Sequence, residues 1–401
     1  MLPFALLATL LLSFQLLLPL KINKYYKLAL ILPIMVAAFK PEIIFFFGGD
    51  NYFAPDLPGW VILTAAWFYG IVFFSFFLLL IPAAATLAVR VYCFFRKTAY
   101  PEKLRKLTNA ANAVLLIVAV LLCSFAMYNA LRAPAVKQVV LRFPDLPPAA
   151  ENYRMTVLAD LHIDNTSTPE TLRALVKQAN ALQSNIIVIL GDVVDGTVAR
   201  QGKTVRVLSE LTAPDGVYGI MGNHEYFSGL GWAEFLSKCN IKMLLNENVQ
   251  VKEKFHLAGI TDPAAKRLKG QAQMPDLDKA LKGIGKEDFT VLLAHRPGHG
   301  GQAAAKGVKL QLSGHTHGGM IWGFDQLVGR FNENFISGAY KVKAMQLYVS
   351  NGSAIWKGFP YRLGHDSEIT VIVFKKAVLP VSVDAIWPAN SNKGGQPRER
   401  M

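Results

Sequence analysis

The chain has 401 residues, of which 52% are hydrophobic and 17% charged, with a formal net charge of +14. An average soluble chain is about 45–50% apolar and about 25% charged, so a disordered chain, an ordinary cytosolic enzyme and a disulfide scaffold are excluded at the outset. The excess is unevenly placed: up to Ala133 there are eleven Lys and Arg against four Asp and Glu, half the net charge, while the remaining two thirds have the charge density of a soluble domain.

Leu2 to Leu20 is a charge-free run whose only polar residues are Thr9, Ser13 and Gln15. At about 1.5 Å per residue it nearly spans a hydrocarbon core of about 30 Å. It is not read as a signal peptide, because Lys21, Lys24 and Lys27 follow the apolar run instead of preceding it. Leu28 to Phe47 is interrupted by Lys40, Pro41 and Glu42 and is left open between a span, a short kinked span and a re-entrant segment. Trp60 to Val89 carries no charge and is the surest span, and Ala110 to Met127 is another, with Asn112 near its start. The loop between these two holds Arg90, Arg96, Lys97, Lys103, Arg105 and Lys106. The positive-inside rule places that loop in the cytoplasm and everything after Ala133 on the outer face.

Residues 134–150, with Pro134, Pro144, Pro147 and Pro148, read as a linker. Beyond it, apolar runs predict strands at Met155–Ala159, Ile186–Leu190, Val217–Met221, His256–Ile260, Thr290–Ala294, Lys309–Leu312 and Leu347–Ser350, with closing strands at Ile369–Phe374 and Val381–Ala385. Helical patterns lie between them at Pro169–Leu182, Val205–Leu211, Gly231–Lys238, Asp276–Lys282 and Gln302–Lys306. The alternation predicts one layered α/β domain over 151–388, helices covering sheets. Residues 389–401 read as a disordered tail. Cys93 and Cys123 sit in or beside spans, so Cys239, expected on the buried side of a helix, has no disulfide partner in the soluble part.

Four short polar segments each follow a predicted strand: Ala159-Asp160-Leu161-His162, Gly191-Asp192-Val193-Val194-Asp195, Gly222-Asn223-His224-Glu225 and Gly314-His315-Thr316-His317. A fifth candidate, His295, directly follows the strand Thr290–Ala294. Strand ends are where α/β sheets gather ligands, and Asp, Asn and His form the N/O set that suits divalent transition metals. Any one of these segments has a plain reading as a turn or cap; five in one domain point to a site.

In these motifs the sequence resembles the calcineurin-like metallophosphoesterase family, whose order is D-x-H, GD-xx-D, GNH-D/E, a lone H, then GH-x-H. It looks closest to the membrane-anchored bacterial subgroup and to transmembrane proteins with a metallophosphoesterase domain, sharing also the run Leu347–Gly352, Pro360, Arg362 and Glu368. His365-Asp366-Ser367 departs from the subgroup's proline-containing stretch. The resemblance implies three or four N-terminal transmembrane helices followed by an α/β domain of two packed β-sheets flanked by helices. It implies two divalent metal ions, Mn, Fe or Zn, sharing Asp192 as a bridge. Asp160, His162 and His317 would complete one site and Asn223, His295 and His315 the other. His224 would be the acid over the substrate, oriented by Asp195, with hydrolysis by a metal-bridging hydroxide. Arg296 and Arg362 are candidates for contact with a substrate phosphate.

The expected function is therefore a membrane-anchored phosphoesterase acting on a phosphoester or pyrophosphate bond in a lipid-linked substrate, which the anchor brings within reach. The alternative is a pyrophosphohydrolase resembling that of UDP-2,3-diacylglucosamine in lipid A synthesis, whose substrate arises on the other side of the membrane from the placement above. A non-catalytic membrane scaffold and a sensor or transporter are weaker, since every ligand and His224 are present and intramembrane charge is confined to Lys40 and Glu42. No nucleic-acid partner is expected: Lys266, Arg267 and Lys269 form the densest basic cluster of the soluble part, without interleaved aromatics.

Overall fold

The computed structural model describes residues 2–47 and 53–377; the expected strand Val381–Ala385 and the expected tail 389–401 lie outside them. The N-terminal region is helical. Helix α1 (Leu2–Leu12) runs into a π-helical turn (Ser13–Leu17), α2 (Lys24–Ala38) and α3 (Lys40–Phe47) meet at a 67° bend, and α4 (Gly59–Phe95) and α5 (Glu102–Leu131) are long. Among the described residues α4 and α5 are long and apolar enough to cross a membrane, a third crossing arises if α2 and α3 form one broken span, and Leu2–Leu17 is a shorter apolar helix. The segment left open in the sequence is thus bent just ahead of Lys40 and Pro41.

Close approach of α4 and α5 depends on small side chains. Ala119, Cys123 and Ala126 are fully buried against Tyr69, Phe73 and Phe74, and a Cβ at Gly70 would come 2.5 Å from Cys123 Sγ. Inside the bundle Gln15 donates to Asn112 at 3.1 Å and Asn112 donates back to the Gln15 carbonyl at 2.9 Å, an interhelical polar clasp in an apolar surround.

The strands are β1 (Ala135–Phe143), β2 (Arg154–Leu158), β3 (Ile186–Ile189), β4 (Val217–Gly219), β5 (Lys242–Met243), β6 (Glu247–Val251), β7 (Phe255–Gly259), β8 (Thr290–Leu293), β9 (Leu310–Ser313), β10 (Gly338–Val342), β11 (Met345–Val349) and β12 (Glu368–Lys376). They form two six-stranded sheets, ordered β1-β12-β2-β3-β4-β5 and β10-β11-β9-β8-β7-β6. The inner strands β2, β3 and β4 run parallel, as do β7, β8, β9 and β11. Such strands are buried on both faces, which is why their sequences are continuous apolar runs rather than alternating ones. One core lies between the sheets, around Met155, Val188, Leu257, Val291, Leu312 and Phe374, and a second lies under the helices, around Val176, Ile189, Trp232 and Leu236. The helix Pro169–Ala181 starts where its sequence dictates, with Thr168 capping the Thr171 N–H and proline in the first turn. Cys239 is buried, as expected.

The segment 134–150 differs from its reading as a linker. Ala135–Phe143 is an edge strand paired in parallel with β12, from Ala135 opposite Glu368 to Phe143 opposite Lys376. Leu141 and Phe143 enter the inter-sheet core. Its prolines flank the strand rather than interrupt it, which an edge strand tolerates.

Candidate metal centre

Every predicted site segment follows a strand. Asp160 and His162 follow β2, Asp192 and Asp195 follow β3, Asn223 and His224 follow β4, His295 follows β8, and His315 and His317 follow β9. β2, β3 and β4 are neighbours in one sheet and β8 and β9 in the other, so their C-terminal ends meet on one rim of the sandwich. Backbone hydrogen bonds lock the loops together: His162 N–H donates to the Asp192 carbonyl at 3.0 Å, and His315 N–H donates across the sheets to Asp160 Oδ1 at 3.0 Å.

The backbone is strained where the side chains converge. Asp160, His162, Asp192, His315 and His317 all have positive φ, between 43° and 72°, a left-handed conformation that costs a residue with a Cβ on the order of 1–3 kcal/mol. Gly222 is required for a different reason: a Cβ there would stand 2.3 Å from Asp192 Oδ1 and 2.8 Å from the His295 ring.

Asp160, His162 and His317 bring one ligand atom each within 4.8 Å of one another, as do Asp192, His295 and His315; a third grouping of the same kind joins His162, Asp192 and His224. His295 Nε2 lies 3.1 Å from Asn223 Oδ1, 3.2 Å from Asp192 Oδ2 and 3.2 Å from His315 Nδ1. His162 Nε2 faces His317 Nε2 at 3.2 Å. The far side of the rings sets which nitrogen carries hydrogen: His295 Nδ1 donates to the Leu190 carbonyl at 2.8 Å and His162 Nδ1 to Asp195 at 3.1 Å. Their Nε2 atoms are therefore turned toward other ligand atoms and carboxylate oxygens, an arrangement that suits a positive charge placed between them. All seven predicted ligands come together, and their N/O chemistry fits divalent metals.

Burial works against the charged form of His295, but Asp192 beside it prevails and raises its pKa to about 10, so the ring holds a proton at Nε2 that a cation at this position would displace. Burial likewise opposes the charge on Asp192, yet the histidines around it, His295 first, hold it well below the usual carboxylate range. Burial and the neighbouring positive charge push His315 and His317 well below the ordinary imidazole value, so both keep a free lone pair.

His224 lies beside this cluster, its Nδ1 2.5 Å from Asp195 Oδ1 and its Nε2 4.0 Å from Asp192 Oδ2. Burial would lower its pKa, but Asp195 and then Asp192 raise it to about 9. Three aromatic rings surround it, Phe53 at 5.0 Å, Phe227 at 5.4 Å and Trp356 at 6.0 Å. Phe53 belongs to the connection between α3 and α4, so the helical region supplies part of this wall.

Arg296 grips the buried Asp262 with two hydrogen bonds of 2.7 and 3.1 Å and remains partly exposed. Arg362 is fully buried, and its guanidinium is spent on the carbonyls of His317, His365, Asn351 and Ala354 at 2.6–3.0 Å. His256 faces Asp288 near the start of β7, at the opposite rim. Glu225 has a role the sequence reading did not assign: fully buried, it accepts the backbone N–H groups of Asp192, Val193, Val194 and Gly222 at 2.6–3.1 Å and so binds the Gly191–Asp195 loop to the Gly222–Glu225 turn. Its position at the third residue of a helical turn after Gly222 was the available signal.

A family model described as calcineurin-like phosphoesterase matches residues 153–319. A transmembrane protein with metallophosphoesterase domain from Bos taurus is 32% identical over 290 residues, covering 69% of this chain and 65% of its own length. The Danio rerio protein of the same description is 33% identical over 273 residues, covering 65% and 62%. The chain thus spans less than two thirds of the length of these two relatives. An uncharacterised metallophosphoesterase of Campylobacter jejuni is 30% identical over 264 residues, 65% of this chain and 68% of its own. Among solved structures, a dimetal phosphatase from Danio rerio is 14% identical with a TM-score of 0.32, covering 51% of this chain and 88% of its own, a likeness too small to carry an argument.

Proposed function

The chain belongs to the calcineurin-like metallophosphoesterase family, and on that premise we propose that it is a membrane-anchored hydrolase of a phosphoester or pyrophosphate bond in a lipid-linked substrate. The observation that carries the proposal is the convergence of Asp160, His162, Asp192, Asn223, His295, His315 and His317 on one rim, ligand atoms inward, with His224 beside them. Two divalent ions of the Mn, Fe or Zn kind, when held by these residues, would supply positive charge for the phosphoryl oxygens and an acidified water.

The chain's own groups do the rest. Leu190 and Asp195 fix the tautomers of His295 and His162, so neither ring has to reorganise during turnover. His224 is held protonated by Asp195 and presents Nε2 toward the centre, where it donates its proton to the leaving oxygen. Phe53, Phe227 and Trp356 keep water from that proton. Arg296, fixed by Asp262, contacts the substrate phosphate. We assign Arg362 a positioning role through the His317 backbone, its Nη1 and Nη2 groups being committed to carbonyls.

The lipid-linked class is supported by direct packing of the catalytic domain on α4 and α5, through Ile321 and Tyr361. The proposal puts this domain on the outer face of a cell membrane, opposite the basic connection between α4 and α5. A lipidomic comparison of cells carrying the wild-type chain and its His224→Ala variant tests the substrate class. A phosphorylated lipid accumulates in the variant if the reading holds, and unchanged lipids with an altered soluble phosphoester would overturn it.

A further inference from the structure

The segment that follows the predicted ligand His317 is built unlike the rest of the soluble surface. Phe324 packs against α4, its ring 5.3 Å from Phe73 and 5.6 Å from Phe77, and Ile321 joins the cluster of Tyr69, Phe74, Ala119 and Cys123. These positions lie inside the uncharged stretches of α4 and α5. The first charge met going down α4 is Arg90. A hydrocarbon core of about 30 Å takes about 20 helical residues, so a core that begins at Arg90 ends near Gly70. Phe73 and Phe77 fall below that level, and Phe324 lies against them.

The opposite side of the same segment is uncovered. Trp322 is 70% exposed, Leu327 48% and Phe331 82%. Leu327 and Phe331, four residues apart, extend from one face of the helix Asp325–Arg330. The one acid of that helix is turned away from this face: Asp325 is buried and accepts the N–H groups of Gly323 and Gln326 at 3.0 and 2.8 Å. Arg330 is the charge that remains outward. Tryptophan, phenylalanine and leucine with an arginine and no outward carboxylate is the composition of an element that lies in a membrane interface.

We propose that Met320–Phe331 is inserted into the leaflet at which α4 begins and α5 ends, with Trp322, Leu327 and Phe331 among the acyl chains and Arg330 at the headgroups. The occupant of this face is lipid, because the face continues the surface of α4, whose other side chains at the same height meet lipid. The insertion rests on the reading of α4 and α5 as spans and not on the identity of the substrate. It fixes the height of the centre. Arg362 donates its backbone N–H to the Ala126 carbonyl of α5 at 2.9 Å and its guanidinium to the His317 carbonyl at 3.0 Å, and the next residue, Leu363, donates its N–H to the Met320 carbonyl and accepts from the Trp322 N–H, both at 2.9 Å, so a predicted metal ligand, the inserted segment and a membrane helix are joined within one hydrogen-bonded unit. A phosphate carried on a lipid headgroup meets His317 and His224 at the membrane surface.

The test uses the full chain in phosphatidylcholine and phosphatidylglycerol vesicles. A fluorophore is attached in turn to the Phe331→Cys, Leu327→Cys, Leu87→Cys and Lys286→Cys variants; the native Cys93, Cys123 and Cys239 are buried. Leu87 is an exposed residue of α4, and Lys286 is exposed ahead of β8 at the rim away from the centre. The labels on F331C and L327C should be quenched by nitroxide on the lipid acyl chains several-fold more than the label on K286C, and shielded from iodide. Iodide quenching of both at the level of K286C, with L87C quenched by lipid, overturns the insertion alone. Iodide access to L87C overturns the spanning reading and the insertion with it.

Discussion

His224 Nδ1 stands 2.5 Å from Asp195 Oδ1, and the same carboxylate takes His162 Nδ1 at 3.1 Å. One buried acid thus sets the protonation of the residue proposed as the catalytic acid and the orientation of a proposed metal ligand. Opposed to burial, which drives a carboxyl upward, the two histidines hold Asp195 at about 2.

This pairing predicts a pH dependence. The raised pKa of His224, about 9, means that its acid form is present at neutral pH and is lost as pH rises through that value. Asp195→Asn removes the nearest negative charge, so the alkaline limb of the kcat profile should move down by about one unit or more. His224→Ala should lower kcat by about 10²–10⁴-fold and abolish that limb. Steady-state rates between pH 6 and 10 on a phosphodiester with a poor leaving group check both.

Glu225→Gln should loosen the centre without touching it. The amide presents hydrogens to backbone N–H groups that now meet a carboxylate, and four buried donors lose part of their pairing. Loss of about 1–3 kcal/mol is expected, read as a lower melting temperature, together with a reduced metal content after dialysis. Unchanged values in both measurements would count against the role assigned to this residue.

Phe53→Ala tests the contribution of the helical region to the catalytic wall. Phe53 stacks on Phe227 at 4.4 Å and meets His224 edge-on at 5.0 Å. Its removal admits water beside the proton of His224, and kcat should fall about tenfold, which corresponds to about 1.4 kcal/mol in the barrier. Melting temperature and metal content should stay at the wild-type level.

What could be read in the sequence was what is local. The five site segments were legible because each is a short polar interruption after an apolar strand, and the sheet order then carries all of their predicted residues to one rim. The inner strands were legible for the same reason, being continuous apolar runs. β1 was not, since its partner β12 is more than 200 residues away and its flanking prolines signal a loop. Phe53 carries no local signal at all: it lies between two apolar helices and reaches His224 only through the tertiary fold. Arg362 was read by its charge, whereas its burial among carbonyls depends on the loops that Asn351, Ala354 and His365 bring around it.

The most direct test of the proposed binuclear centre is hydrolysis of bis-p-nitrophenyl phosphate by the purified full chain, stripped with chelator and then titrated with Mn²⁺, with bound metal counted by mass spectrometry on the same samples. Nitrophenol release should be absent after stripping, return as occupancy approaches two ions per chain, and be lost together with metal in Asp192→Asn. Undiminished release from the stripped chain, or from Asp192→Asn, would contradict a centre built around Asp192.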